Sequence, residues 1–270
     1  MGPSAYLLGA VQMTSTADRA KNLDTAVRLV KEAAALGAKL VGLPENFSFM
    51  GPEEQRLAGA ETVDGPTLSV MRDLARTHDL FILAGSIAEK VDHPKKTANT
   101  SALVANDGSI VAVYRKIHLF DVNIPDGARY AESEVVVPGD KVVVAPTPLG
   151  RVGLTVCYDL RFPELYRKLA GLGAEVLTIP SAFTLFTGKD HWEVLVRARA
   201  VENLAYVLAP AQVGRHSSTR QTFGNAMIVD PWGVVLARCP DGEGVCVAPF
   251  SRTRLERVRQ ELPALKHRKL

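Results

Sequence analysis

Three residues of this chain have the types and settings that acyl transfer requires. Cys157 follows the apolar run Arg151-Val-Gly-Leu-Thr-Val156 and precedes Tyr158-Asp-Leu-Arg-Phe-Pro-Glu164, which reads as a turn opening a helix. A thiol at a strand-to-helix turn stands above the sheet edge, where α/β folds place ligands, and a helix N-terminus favours its thiolate. Glu45 follows Leu40-Val-Gly-Leu-Pro44, and Lys116 closes Val113-Tyr-Arg-Lys116. Together they put an acid, a base and a thiol at the carboxyl ends of three strands, the equipment for acyl transfer. Each has a blander reading that the residue alone leaves open. Free cysteines are among the most buried residues, an acid after a strand is commonly a solvated loop residue, and a lysine ending a hairpin is commonly on the surface. Cys239 and Cys246 flank Pro240-Asp-Gly-Glu-Gly244 and read as core or hairpin packing.

The elements that must bring these residues together alternate along the chain. Strands are expected over 6–13, 39–43 and 80–88, helices over 18–36 and 66–77, and a hairpin over 101–116 turning at Ala105-Asn-Asp-Gly108. Gly37 is placed to end the first helix. The order then recurs, with strands over 151–157, 175–179 and 205–211, helices over 164–172 and 191–202, and a hairpin over 225–238. A last helix is expected over 253–262. Leu36-Gly-Ala-Lys-Leu-Val-Gly-Leu-Pro44 and Leu172-Gly-Ala-Glu-Val-Leu-Thr-Ile-Pro180 make the repeat visible. The expected fold is α/β, a four-layer α-β-β-α sandwich of two pseudo-repeated β-α-β-α-β-β halves. A single doubly wound sheet also satisfies the periodicity. The chain reads as one domain over residues 1–270.

Composition narrows the classes. The 270 residues are 47% hydrophobic and 23% charged, with a net charge of +3 from 32 basic and 29 acidic side chains. That balance is a mixed solvated surface, so no nucleic-acid partner is expected. No apolar run reaches the ~18–20 residues of a membrane span, so no membrane partner is expected either. The N-terminus lacks the basic region of a secretory signal. Three cysteines without a CxxC pair argue against a disulfide framework or a metal site. A reducing cytoplasm is the expected setting, with neither metal nor cofactor.

Leu43-Pro-Glu-Asn-Phe47, Tyr114-Arg-Lys-Ile-His118 and Val156-Cys-Tyr-Asp-Leu-Arg-Phe-Pro-Glu164 resemble, in order, the catalytic motifs of the nitrilase superfamily of carbon–nitrogen hydrolases. The resemblance implies an αββα sandwich with a Glu-Lys-Cys triad. Cys157 is then the nucleophile and Glu45 the general base. Lys116 stabilises the oxyanion, helped by the backbone N–H of Tyr158. The family's second glutamate falls on Glu132, with Glu134 as its near competitor.

Further stretches, among them Pro180-Ser-Ala-Phe183, His191-Trp-Glu193, Ala211-Gln-Val-Gly-Arg-His216 and Asp230-Pro-Trp-Gly233, are similar to the group of deaminated glutathione amidases. That likeness implies cleavage of a 2-oxoglutaramyl amide to 2-oxoglutarate and cysteinylglycine. The alternatives are an ω-amidase acting on 2-oxoglutaramate, another C–N hydrolase such as a carbamoylase or nitrilase, and a non-catalytic scaffold. A 2-oxo acid needs a fixed cation, and Arg161, close after the nucleophile, is the candidate clamp; a salt bridge to Glu164 or Asp159 is its structural alternative. Phe183 and Thr187 match pocket-lining positions of this group. His118, His191 and Trp192 are read as structural. Relatives often carry His and Ser where this chain has Asn225 and Ala226, and they continue past the end of this chain. A homodimer is the family's usual assembly.

Overall fold

The computed structural model describes residues 2–123 and 129–269. The first half runs β1 (Ala5–Met13), α1 (Arg19–Ala35), β2 (Ala38–Gly42), α2 (Glu53–Ala58), α3 (Pro66–His78), β3 (Phe81–Lys90), β4 (Thr97–Val104) and β5 (Ile110–Arg115). A small ribbon follows, β6 (Asp121–Asn123) and β7 (Arg129–Ala131), then β8 (Val143–Thr147). The second half runs β9 (Gly150–Leu154), α4 (Pro163–Gly171), β10 (Val176–Thr178), α5 (Leu185–Asn203) and β11 (Tyr206–Ala209). It continues with β12 (Ala211–Arg215), β13 (Gln221–Phe223), β14 (Met227–Val229), β15 (Val235–Arg238), β16 (Gly244–Ser251) and α6 (Arg252–Glu261).

Two sheets carry the expected repeat. In the first, β1, β2 and β3 are parallel neighbours and β4 and β5 follow antiparallel. In the second, β9, β10 and β11 are parallel, and β14 and β15 follow antiparallel. Side chains alternate across a strand, and the first sheet shows it. Tyr6, Leu8, Ala10, Leu40, Phe81 and Leu83 join one cluster, shared with Leu154, Leu177, Leu208 and Met227 of the second sheet. Val11, Met13, Val41, Ile82 and Ala84 point the other way, onto Leu29 and Val30 of α1 and Met71 of α3. The second sheet is covered in turn by Leu165 and Leu169 of α4 and by Trp192 and Val196 of α5. The layers are therefore α-β-β-α, and the doubly wound alternative is set aside.

Several bounds differ from expectation, each for a local reason. The helix expected from residue 191 begins at Leu185, because the Thr184 side chain caps it by accepting from the Thr187 N–H. The strand expected over 205–211 is two strands in different sheets: β11 lies in the second and β12 joins β1 in the first. Pro210 sits at the crossing, where its missing N–H interrupts no ladder. The strand expected to run to Cys157 stops at Leu154, and residues 157–161 form a short 3-10 turn. Five features went unforeseen: the short α2, the β6–β7 ribbon, β8, β13 and β16. The last returns to pair with β1 antiparallel, from Ala5 opposite Ser251 to Gln12 opposite Gly244. Among the described residues, no helix is long and apolar enough to cross a membrane.

Candidate active site

Glu45 is delivered by the end of β2 and held by its backbone neighbours. A Cβ at Gly85 would lie 1.9 Å from the Leu43 carbonyl oxygen, so only glycine lets β3 approach this closely. Asn46 adopts a left-handed φ of 56° and its N–H donates to Ser86 Oγ at 2.9 Å. Gln212 Nε2 donates to the Glu45 carbonyl at 3.0 Å. The chain therefore turns sharply beyond Glu45, and the side chain points inward, 3% exposed.

Lys116 follows β5 directly. Its N–H donates to the Asn99 carbonyl at 2.9 Å, and its ammonium, 2% exposed, ends between two carboxylates. Nζ is 2.9 Å from Glu45 Oε1 and 2.8 Å from Glu132 Oε2. Glu132 opens a short turn after β7, and its Oε2 also accepts from the Phe120 N–H at 2.8 Å. Glu134 faces outward and pairs with Arg129 at 2.9 Å. The lysine's partner is thus Glu132 and not its competitor.

Asn99 joins the same cluster, donating from Nδ2 to Glu45 Oε1 at 2.9 Å and to Glu132 Oε1 at 3.0 Å. Sequence reasoning missed it; in the sequence, Asn99-Thr100-Ser101 is only a chance glycosylation match. Its place on β4, one residue before Thr100, which pairs with Arg115 and so brings Asn99 beside Lys116, was the available signal.

Cys157 sits at the tip of the turn after β9 with φ +50°, a conformation that costs a residue with a Cβ about 1–2 kcal/mol. Its N–H donates to the Pro180 carbonyl at 2.9 Å. Asp159 fixes the turn to the lysine strand. Fully buried, it accepts from the Val156 N–H at 2.8 Å, from Tyr114 Oη at 2.7 Å and from the His118 N–H at 3.1 Å. His118 Nδ1 also lies 2.7 Å from it, and the His118 ring stacks on Phe162. His118 is therefore a bracket between motifs, in keeping with its structural reading. Trp192 is likewise buried, with its indole N–H donating to the Asn225 carbonyl at 2.8 Å.

The electrostatics follow from burial. Burial alone would pull the Lys116 ammonium down, but Glu132 and Glu45 outweigh it and hold it well above the ordinary lysine range. Burial would raise the Glu132 carboxyl, yet the Lys116 charge and the hydrogen bonds bring it down to about 2. For Cys157 the helix-end expectation is reversed. Burial and the adjacent Glu45 charge push the thiol well above its usual value, and Lys116 only partly opposes them. The protonated thiol is thereby favoured, with the Glu45 carboxylate beside it.

These groups line one cavity of about 400 Å³. Cys157, Glu45, Lys116, Glu132, Tyr158, Phe183 and Thr187 all contribute to its wall. Arg161 does not. Its guanidinium lies against the Phe183 and Tyr158 rings at 5.3 and 6.0 Å and within 3.2 Å of His191 Nδ1, behind the wall it was expected to line. Three other cations line the cavity instead: Arg56, Arg129 and Arg220. No motif in the sequence marked them. Among the described residues no cluster of His, Cys, Asp or Glu could hold a metal ion.

His216 anchors the loop that carries Arg220. Nδ1 is 2.7 Å from the Ser15 carbonyl and Nε2 is 2.6 Å from Thr222 Oγ1. Burial lowers its pKa to about 4, and Arg220 adds to the effect. Between pH 6.5 and 4 the unfolded chain binds a proton that the folded chain refuses. Stability is therefore intact above pH 6.5 and falls as pH drops toward 4, by on the order of 3 kcal/mol when complete. His216→Gln is expected to flatten this slope, read from urea midpoints at pH 7, 6, 5 and 4. An unchanged slope would assign the loss to other groups.

Comparison with known proteins gives a consistent picture. A family model described as carbon–nitrogen hydrolase matches residues 7–260. A deaminated glutathione amidase of Synechocystis is 47% identical over 97% of this chain and 98% of its own. The crystal structure of the Caenorhabditis elegans NitFhit protein superposes with a TM-score of 0.94 at 38% identity, covering 100% of this chain and 66% of that one. Saccharomyces cerevisiae Nit3, described as a member of branch 10 of the nitrilase superfamily, gives 0.89 at 32%, covering 100% and 98%.

Proposed function

The chain belongs to the carbon–nitrogen hydrolase family, and on that premise we propose that it is an amidase that splits deaminated glutathione into 2-oxoglutarate and cysteinylglycine. The observation that carries the substrate is the nearly end-to-end likeness to the Synechocystis amidase. The arrangement around Cys157 supports the chemistry.

In this reading Glu45 takes the proton from the neutral Cys157 thiol as sulfur attacks the amide carbonyl. Transfer within the attack avoids forming a free buried thiolate, which the raised thiol pKa disfavours. The oxyanion forms against the Lys116 ammonium and the Tyr158 N–H. Such preorganised donors are typically worth about 3–4 kcal/mol each in the transition state. Glu45 then protonates the departing amine nitrogen of cysteinylglycine, leaving the acyl group as a thioester. Water attacks the thioester as Glu45 accepts its proton, and 2-oxoglutarate leaves with the thiol restored. Glu132 and Asn99 hold Lys116 and Glu45 in place throughout. Phe183 walls the acyl chain, and Thr187 offers a hydroxyl near it.

Residues 1–270 form one hydrolase domain in this reading, working as a homodimer in the cytoplasm. Exposed Val194 and Val201 on the outer face of α5 support the dimer, and three free thiols suit a reducing compartment.

The test is a product assay with deaminated glutathione and 2-oxoglutaramate side by side. The expected result is a kcat/KM at least about 10-fold higher for deaminated glutathione. The opposite order would make the protein an ω-amidase, and turnover of neither would reject both substrates.

A further inference from the structure

Most charged groups on the cavity wall are paired. Lys116 lies between Glu45 and Glu132, and Arg129 bonds Glu134. Two guanidinium groups are left over. Arg56 is 9% exposed; its Nη1 donates to Asn46 Oδ1 at 3.0 Å and its Nε to Thr97 Oγ1 at 3.3 Å. Its Nη2 is buried with no hydrogen-bond partner among the described residues. Arg220 is half-buried, and among the described residues its guanidinium has neither a hydrogen bond nor an ion pair, although its backbone is tied into the loop. It stands close enough to Arg56 and His216 for its charge to act on both. Glu53 also lines the wall and acts on Arg56 from a distance without bonding it.

A buried donor left unsatisfied costs about 1–3 kcal/mol, and two like charges brought together add to that. The arrangement is explained if an anion completes it. The geometry points to Arg56 and Arg220 as the carboxylate clamp of this enzyme, gripping the free carboxylate of the acyl half of the substrate. The assignment rests on the amidase reading above and replaces Arg161 in the clamp role. Arg56 selects the acyl half over the leaving group because it is anchored to Asn46, the residue after Glu45, and feels the charge of Glu132 and Glu45. It is therefore tied to the segment that carries Glu45, beside the reacting centre. The acyl group stays there through both half-reactions, whereas the amine must depart. Paired guanidinium forks suit a planar carboxylate, and they set specificity by leaving unpaired charge when a neutral acyl group binds.

Arg56 supports the loop after Glu45, so the variant of choice is Arg220→Gln. The probes are 2-oxoglutaramate, which has only the acyl carboxylate, and its analogue with that carboxylate capped as a primary amide. Wild type is expected to prefer the acid by roughly 10- to 50-fold in kcat/KM, and R220Q to lose most of that preference through KM rather than kcat. R220Q retaining the wild-type preference would overturn the assignment. If wild type turns over neither compound, the substrate reading is judged separately, by turnover of deaminated glutathione. The clamp is then read from protection of Cys157 against iodoacetamide by 2-oxoglutarate. Protection of wild type at a concentration at least about 10-fold below that needed for R220Q supports the clamp; equal protection, or none, overturns it.

Discussion

Replacing Cys157 with alanine is expected to lower turnover by at least about 10⁴-fold, measured as release of 2-oxoglutarate from deaminated glutathione. Without sulfur no thioester forms, and what remains is the cavity's ability to bind substrate and polarise its carbonyl. The protein should stay folded, because the side chain faces the cavity and its backbone anchor to Pro180 is untouched. Stability offers a second reading of the same site. The left-handed backbone at residue 157 burdens alanine as it burdens cysteine, but not glycine. Cys157→Gly should therefore melt higher than Cys157→Ala, by an amount equivalent to about 1 kcal/mol. Substantial turnover by either variant would dismiss the thioester route; a lower melting point for the glycine variant would dismiss the strain.

Lys116→Met is expected to combine an equally deep loss of activity with a loss of about 3–5 kcal/mol of stability. The ammonium is the shared partner of Glu45 and Glu132, and its removal leaves two carboxylates facing each other in a buried site. The pH dependence has a definite sign. In the wild type the depressed Glu132 pKa contributes stability that is fully present above about pH 4.5 and is lost as pH falls through about 2. The methionine variant lacks that contribution, and its carboxylates resist ionisation. Its deficit against wild type should be largest near neutrality and shrink as acid protonates them. Adding Glu132→Gln should recover part of the stability at pH 7 and none of the activity. Chemical denaturation across pH 4–8 measures both. A deficit independent of pH would show that lost packing, not unpaired charge, is responsible.

The sandwich was legible because both halves write the same pattern. Leu36 to Pro44 and Leu172 to Pro180 each end a helix, run through a strand and stop at a proline. Glu45, Lys116 and Cys157 were legible because each ends such a strand inside a recognisable motif. Contacts between distant segments were not. Asn99 and Asp159 look like ordinary polar residues until the β4–β5 register and the turn at Cys157 bring them to their partners. Arg161 misled because nearness in sequence to the nucleophile was taken for nearness in space. The 3-10 turn sends it behind Phe183, while Arg56 and Arg220 arrive from segments with no signature. The thiol was expected to be acidified by a helix end, but a short 3-10 turn supplies little dipole and burial dominates.

The pairing of β1 with β16 has a consequence for how the chain is made. Residues 5–12 are made first among these strands, yet most of one edge of β1 waits for residues 244–251. Until those emerge, a long apolar strand presents unpaired N–H and C=O groups to whatever else is nearby. Such distant pairing slows folding and lengthens exposure to aggregation. Nascent chains halted before residue 244 should accordingly recruit chaperones.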